Sequence, residues 1–367
     1  MADGPSGSVA VVNAYKAYTG SSSVARSYYD ALRNQQRQVN WYQCVSSRDR
    51  ASYDHLGIDI EGYKVLRDDQ NLVVNSLLVF PRKLGRLKEN VTILTDPVLL
   101  RAAARVNNSI LIVHDLRELA EHRRSLLAGA YFRWLFRGLD QVNHVICDSE
   151  ATRGELARFY QPTVPVDVIP PCSRLIGKPD EHLQQSLARV EKERTVHLLC
   201  IAADRPYKNL ALFYRLAKLL ESPRAGWSFR FRLISRVGAG SAREIARLSP
   251  SNLEVIPAVP DLTAEYGRTD VLIHPSLVEG FGLPPVEAMQ FGIPIIASDV
   301  PCLREIVDGG GVLVDPGDMD RWVSAVTQLT DPEVYSTRAR QSADRGKQYT
   351  SDAFEGRLRS WVQGRLP

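Results

Sequence analysis

Residues 279 to 287 read Glu-Gly-Phe-Gly-Leu-Pro-Pro-Val-Glu, and their types and spacing suit one kind of chemistry. Two carboxylates, Glu279 in a loop and Glu287 in the expected first turn of a helix, frame the glycine-rich stretch Gly280-Phe281-Gly282-Leu283. Gly280 and Gly282 let the backbone approach a ligand with no Cβ in the way. Pro284 and Pro285 suit the first turn of a helix, where the missing N–H has no partner to lose. Free amides and the positive dipole end then favour an anion such as a phosphate. An ionised carboxylate accepts hydrogen bonds from paired hydroxyls, which a sugar ring or a ribose offers. The competing reading makes Glu287 a partner of the helix dipole and Glu279 a solvated loop charge.

These residues need a platform. Val271-Leu272-Ile273 reads as a strand that ends at His274-Pro275, so the chain turns at the strand's carboxyl end. Short apolar runs alternate with amphipathic helical stretches along the whole chain, the pattern of parallel α/β layers. In the first half the expected strands are Val9–Asn13, Val91–Leu94, Ile110–Val113, Val145–Cys147 and Val166–Ile169. In the second they are Val196–Ile201, Phe229–Ile234, Leu253–Ile256, Val271–Ile273 and Ile295–Ala297. Residues 1–172 and 196–348 therefore form two Rossmann-like domains. Residues 173–195, polar and without a strand, read as the linker, and 349–367 as a terminal helix.

Three further places lie at expected strand ends, where ligands of α/β sheets collect. His114 follows Ile110–Val113, although a lone histidine is more often structural. Gly20, in Tyr18-Thr19-Gly20-Ser21-Ser22-Ser23, either lines a ligand or makes a tight turn. Lys208 and Arg205 follow Val196–Ile201; Arg205 is either a forked phosphate ligand or a solvated cation. Asp318-Met319-Asp320, the one Asp-x-Asp pair, reads as a helix cap rather than a metal site.

Residues 274–315, including Glu279 to Glu287, Phe291-Gly292-Ile293-Pro294 and Asp308-Gly309-Gly310-Gly311, resemble the donor-binding signature of family-four retaining glycosyltransferases, in a mannosyl- and hexosyltransferase-like form. The resemblance implies a GT-B architecture, two Rossmann-like doubly wound domains facing across a cleft, with a terminal helix crossing back to the first. It implies that Glu279 contacts the donor sugar and Glu287 the ribose, with Gly280, Phe281, Gly282 and Leu283 lining the donor. Lys208 and Arg205 hold the diphosphate, and His114 lies beside the transferring sugar. Ser149, after Val145–Cys147, resembles the family's strand-end serine or simply caps a helix. The family often has two adjacent glycines where this chain has Gly20 followed by serines. The expected donor is a nucleotide sugar, with GDP-mannose ahead of a UDP-sugar, and the acceptor a hydroxyl of a saccharide or lipid-linked molecule. No cofactor and no metal are expected. A nucleotide-sugar epimerase, a phosphorylase or a non-catalytic sugar-nucleotide subunit would share parts of this pattern.

Composition fits that expectation. With 367 residues, 44% hydrophobic and 24% charged, the chain has material for two cores, and a formal charge of +4 does not suggest a nucleic-acid partner. The five cysteines show no metal-like spacing and leave one unpaired in any disulfide scheme, which points to a reducing, cytoplasmic setting. No secretory signal or membrane span is expected. Residues 121–138 mix arginines with aromatics and read either as a packed helix or as a peripheral contact with an anionic membrane.

Overall fold

A computed structural model describes residues 7–14, 20–46, 63–68, 74–116, 126–257, 259 and 261–365. The chain divides into two units, Met1–Cys172 with Ser351–Pro367, and Ser173–Thr350.

The first unit is built on a seven-stranded sheet in the order β3-β2-β1-β4-β5-β6-β7. Its strands are β1 Val9–Asn13, β2 Val39–Ser46, β3 Lys64–Asp68, β4 Val91–Leu94, β5 Ser109–Val113, β6 His144–Cys147 and β7 Val166–Val168. The second unit holds six strands in the order β10-β9-β8-β11-β12-β13. These are β8 Thr195–Ile201, β9 Ser228–Ile234, β10 Leu253–Ile256, β11 Val271–His274, β12 Ile295–Ser298 and β13 Val312–Val314. Every pairing is parallel. The central strands β1, β4, β5, β6, β11 and β12 are buried throughout, which is why they read as unbroken apolar runs rather than alternating ones.

Sequence reading missed β2, β3 and β13. Lys-Val-Leu-Arg-Asp of β3 carries charge because it lies at the sheet's edge, where Val65 is 40% exposed, and β13 has only three residues. The expected linker 173–195 is also corrected. Pro179–Glu193 is a helix of the second unit, with Pro179 in its first turn and Leu183, Ser186 and Val190 buried, a spacing that gives it one core-facing stripe. Helix Ser351–Gln363 groups with the first unit. Phe354 meets Tyr28 edge to face at 5.0 Å, Arg357 donates to the Pro170 carbonyl at 3.1 Å, and the Trp361 indole donates to Asp167 at 2.8 Å. All five cysteines are buried free thiols.

Candidate functional site

In the second sheet the chain runs from β8 outward to β9 and β10, then returns to place β11 on the other side of β8. The loops after β8 and β11 therefore leave in opposite directions and open a crevice at the strands' carboxyl ends, the usual ligand position in such sheets. The β8 loop ends in a 3-10 turn, Pro206–Lys208, closed by Asn209 in the left-handed region at φ 51°. The β11 loop is tied to it by the Leu277 amide, which donates to the Tyr207 carbonyl at 2.7 Å.

That tie brings together residues distant in sequence. Lys208 is ion-paired to Glu279 Oε1, and His274 Nε2 lies 2.8 Å from the same oxygen. The side chains are 14% exposed at Lys208, 6% at Glu279 and 1% at His274, so the cluster is largely shielded from water. Burial by itself would push the Glu279 carboxyl up. The Lys208 charge and the His274 hydrogen bond outweigh burial and hold it well below the usual carboxylate range. With its side chain 6% exposed and held by two partners, Glu279 is not a solvated loop charge. His274 was met in the sequence only as a strand end. Its signal was its place five residues before Glu279, where the strand gives way to the loop.

Gly282, at φ 97°, closes the loop as the residue before helix Leu283–Gln290, and a Cβ there would meet Leu303 Cδ2 at 3.2 Å. Gly280 is buried. Phe281 departs from the expectation of a ligand contact: its ring is 5% exposed and packs edge-on against Tyr349 at 5.7 Å, so it anchors the loop to the core. Leu283 is the first residue of the helix and half-buried. Glu287 also departs. The helix starts at Leu283 and its first turn holds no acidic residue, because Leu283 and two prolines fill it; Glu287 is the fifth residue. Its Oε2 accepts from the Tyr266 hydroxyl at 2.7 Å. Burial raises the Glu287 carboxyl above its ordinary value, and the tyrosine hydrogen bond opposes that rise. Arg205 is exposed, with no side-chain hydrogen bond or ion pair among the described residues. Its neighbour Asp204 fixes the loop by accepting from the Gly238 amide at 2.6 Å and the Ser241 hydroxyl at 2.7 Å.

In the first unit β5 and β6 run side by side, with Val113 paired to Cys147, so the residues that follow them are neighbours. His114 Nδ1 lies 2.7 Å from Asp148 Oδ2, and the two are 7% and 2% exposed. Asp148 was not picked out from the sequence, although two expected strands ending one residue before His114 and Asp148 carried the signal. Ser149 caps helix Glu150–Tyr160 by accepting from the Thr152 amide at 3.1 Å. Gly20 is the first residue of helix Gly20–Asn34 rather than a turn in a loop, and residues 15–19 lie outside the described residues. Behind that helix start, Asn13 donates to Gln43 at 3.0 Å and to Ser22 at 3.2 Å, tying β1 to it.

Asp318 caps helix Met319–Gln328 by accepting from the Arg321 amide at 2.9 Å. Among the described residues no group of three or more His, Cys, Asp or Glu side chains is placed to hold a metal ion. Of the stretch 121–138, residues 121–125 lie outside the described residues. In the remaining helix, Leu126–Phe136, Phe132, Leu135 and Phe136 are buried, Phe136 stacks on Tyr160 at 4.5 Å and Arg101 lies 4.1 Å from the Trp134 ring centroid. No described helix is long and apolar enough to cross a membrane.

Residues 195–331, which carry β8 to β13 and the Lys208–Glu279–His274 cluster, match the family described as glycosyl transferases group 1. The chain has a GT-B fold, and the matched stretch lies within its second unit. The O-antigen chain mannosyltransferase RfbU of Salmonella typhimurium is 28% identical over 233 residues, which span 61% of this chain and 61% of that protein. Sucrose-phosphate synthase from Thermosynechococcus elongatus superposes with a TM-score of 0.74 at 15% identity, covering 97% of this chain and 98% of the other. Anabaena HepE in complex with UDP and glucose gives a TM-score of 0.74 at 15% identity, covering 97% and 99%. The neighbours establish the two Rossmann-like domains.

Proposed function

We propose that the protein is a retaining glycosyltransferase that moves a hexose from a nucleoside-diphosphate sugar to a hydroxyl of a saccharide or lipid-linked acceptor. The observation that supports this best is the Lys208–Glu279–His274 cluster at the β8/β11 switch point, where a buried carboxylate and a cation are fixed beside a glycine loop. Glu279 accepts hydrogen bonds from the sugar hydroxyls, and Glu287 from the ribose. Lys208 and Arg205, with the first amides of helix Leu283–Gln290, hold the diphosphate. Gly280, Gly282 and Leu283 line the donor through backbone and small contact surface, and Gly20 contributes only through its helix start. The mannosyltransferase relative favours GDP-mannose, while the UDP and glucose bound by HepE keep a UDP-sugar as the second reading.

The acceptor oxygen attacks the anomeric carbon on the face of the leaving group, and the bond from that carbon to the phosphate oxygen breaks. The acceptor's proton passes to the departing phosphate oxygen, so the products are the glycoside and the nucleoside diphosphate. No protein nucleophile and no metal take part. Fixed cations and amides stabilise the charge that grows on the leaving diphosphate more than they stabilise the bound donor. By the resemblance, His114, held by Asp148, is assigned to the transferring sugar, and the first unit to the acceptor. A lipid-linked acceptor would bring the protein to a membrane surface.

A melting-shift panel with GDP, UDP, GDP-mannose and UDP-glucose tests the donor class. A ligand at one hundred times its Kd adds about 2.7 kcal/mol to the folded state. GDP compounds are expected to stabilise most, and incubation with donor is expected to release nucleoside diphosphate. Binding without release marks a non-catalytic subunit; an altered sugar still attached to its nucleotide marks an epimerase. No shift with any of the four contradicts the proposal.

A further inference from the structure

The two glutamates of the donor site are held in opposite ways. Glu279 has a lysine and a histidine on one oxygen. Glu287 has one side-chain partner among the described residues, the neutral hydroxyl of Tyr266, on Oε2. We infer that Tyr266 is a positioning residue of the donor site, whose hydroxyl fixes one oxygen of Glu287 so that the other is presented to the nucleotide ribose. This rests on the proposal above that Glu287 meets the ribose.

Tyr266 is built for that task. It lies in the short helix Leu262–Gly267 and is fully buried, with its ring stacked on Phe291 at 5.4 Å and 23° between planes. Phe291 directly follows helix Leu283–Gln290, so the stack fixes the tyrosine against the helix that carries Glu287. A buried tyrosine hydroxyl normally finds a partner, and here the short bond goes to a functional carboxylate, with the Pro284 carbonyl more distant at 3.4 Å. Burial and the Glu287 charge push the Tyr266 hydroxyl well above its ordinary value, so it stays a donor at every working pH.

The consequence is a carboxyl whose charge depends on this one donor. Burial raises it, the Tyr266 bond lowers it, and no cation compensates. The helices around it spend their charges elsewhere: Arg304 on Asp299, and Arg345 on the Glu305 and Ile306 carbonyls. From the sheet, His274 faces Glu279, and the Cys200 thiol acts on Tyr266. An ionised Glu287 accepts from ribose hydroxyls, and protonation removes that acceptor. Nucleotide affinity therefore falls as pH drops through the Glu287 value, and without the tyrosine hydroxyl it falls at higher pH.

Tyr266→Phe keeps the ring stack and removes only the donor. Two readouts are needed on the folded protein. The first is the Glu287 carboxyl titration, followed by NMR of labelled glutamate and assigned with Glu287→Gln. The second is GDP and UDP affinity by calorimetry from pH 5 to 8. Tyr266→Phe is expected to move the titration midpoint up by on the order of one pH unit. Nucleotide affinity should drop about tenfold below the new midpoint and recover toward wild type above it, whereas Glu287→Gln should be weak and flat with pH. An unchanged midpoint, or an affinity loss of the same size at every pH, makes Tyr266 a packing residue and overturns the inference. If the midpoint moves while nucleotide affinity is unaltered in both variants, Tyr266 still sets Glu287, and the ribose assignment is what fails.

Discussion

Asp148→Asn is expected to destabilise the protein most at acid pH. His114 is buried, which alone would hold its imidazole below the ordinary value, but the Asp148 charge 2.7 Å from Nδ1 raises it above that value. A histidine raised on folding contributes stability that is fully present below the unfolded value, about 6.5, and is lost as pH rises through the folded value. Each pH unit by which folding shifts a group's titration is worth about 1.4 kcal/mol. Asparagine keeps an acceptor for a neutral N–H but cannot balance an imidazolium. The difference between the two proteins should therefore be roughly 1.5–3 kcal/mol at pH 5.5, the size of a hydrogen bond between charged groups. Near pH 9 it should shrink below roughly 1 kcal/mol, since removing a buried charge there relieves its desolvation. Urea denaturation at both pH values, with the His114 resonance titrated by NMR in each protein, measures this. A difference that stays constant or grows with pH, or equal imidazole titrations, would refute the reasoning.

His114→Ala should lower turnover far more than donor affinity, since the imidazole is assigned to the transferring sugar; unchanged turnover in a slightly destabilised protein would return His114 to a structural role. Transfer should survive excess chelator, and complete loss restored by magnesium or manganese would contradict the assignment of leaving-group stabilisation to Lys208, Arg205 and helix amides. Glu287→Ala should weaken nucleoside diphosphate binding by on the order of 1.5–3 kcal/mol in calorimetry, and wild-type affinity in the folded variant would remove the ribose role.

The buried strands were legible because a parallel strand covered on both faces must be apolar along its length, as Val9–Asn13 and Ile110–Val113 are. The edge strand Lys64–Asp68 was not, since half-exposed positions admit charge, and the helix Pro179–Glu193 was hidden by its polar outer face. At the site, Glu279 and Glu287 could be read from a local pattern of glycines and prolines. The pairings that set their charge could not. Lys208 lies 71 residues from Glu279, and Tyr266 lies 21 from Glu287. Asp148 lies 34 residues from His114, and only the register of β5 with β6 makes them neighbours. Strand order, which places β8 beside β11, is the information a single sequence carries least directly.

The central claim is that the switch-point carboxylate Glu279 holds the hexose of a nucleotide sugar during transfer. Release of nucleoside diphosphate from GDP-mannose and from UDP-glucose, compared between wild type and Glu279→Gln on folded protein, tests it most directly. Wild type should turn over one of the two donors, and Glu279→Gln should still bind the nucleoside diphosphate while its turnover drops by on the order of a hundredfold or more. Equal turnover in Glu279→Gln, or no release from either donor by wild type, would contradict the account.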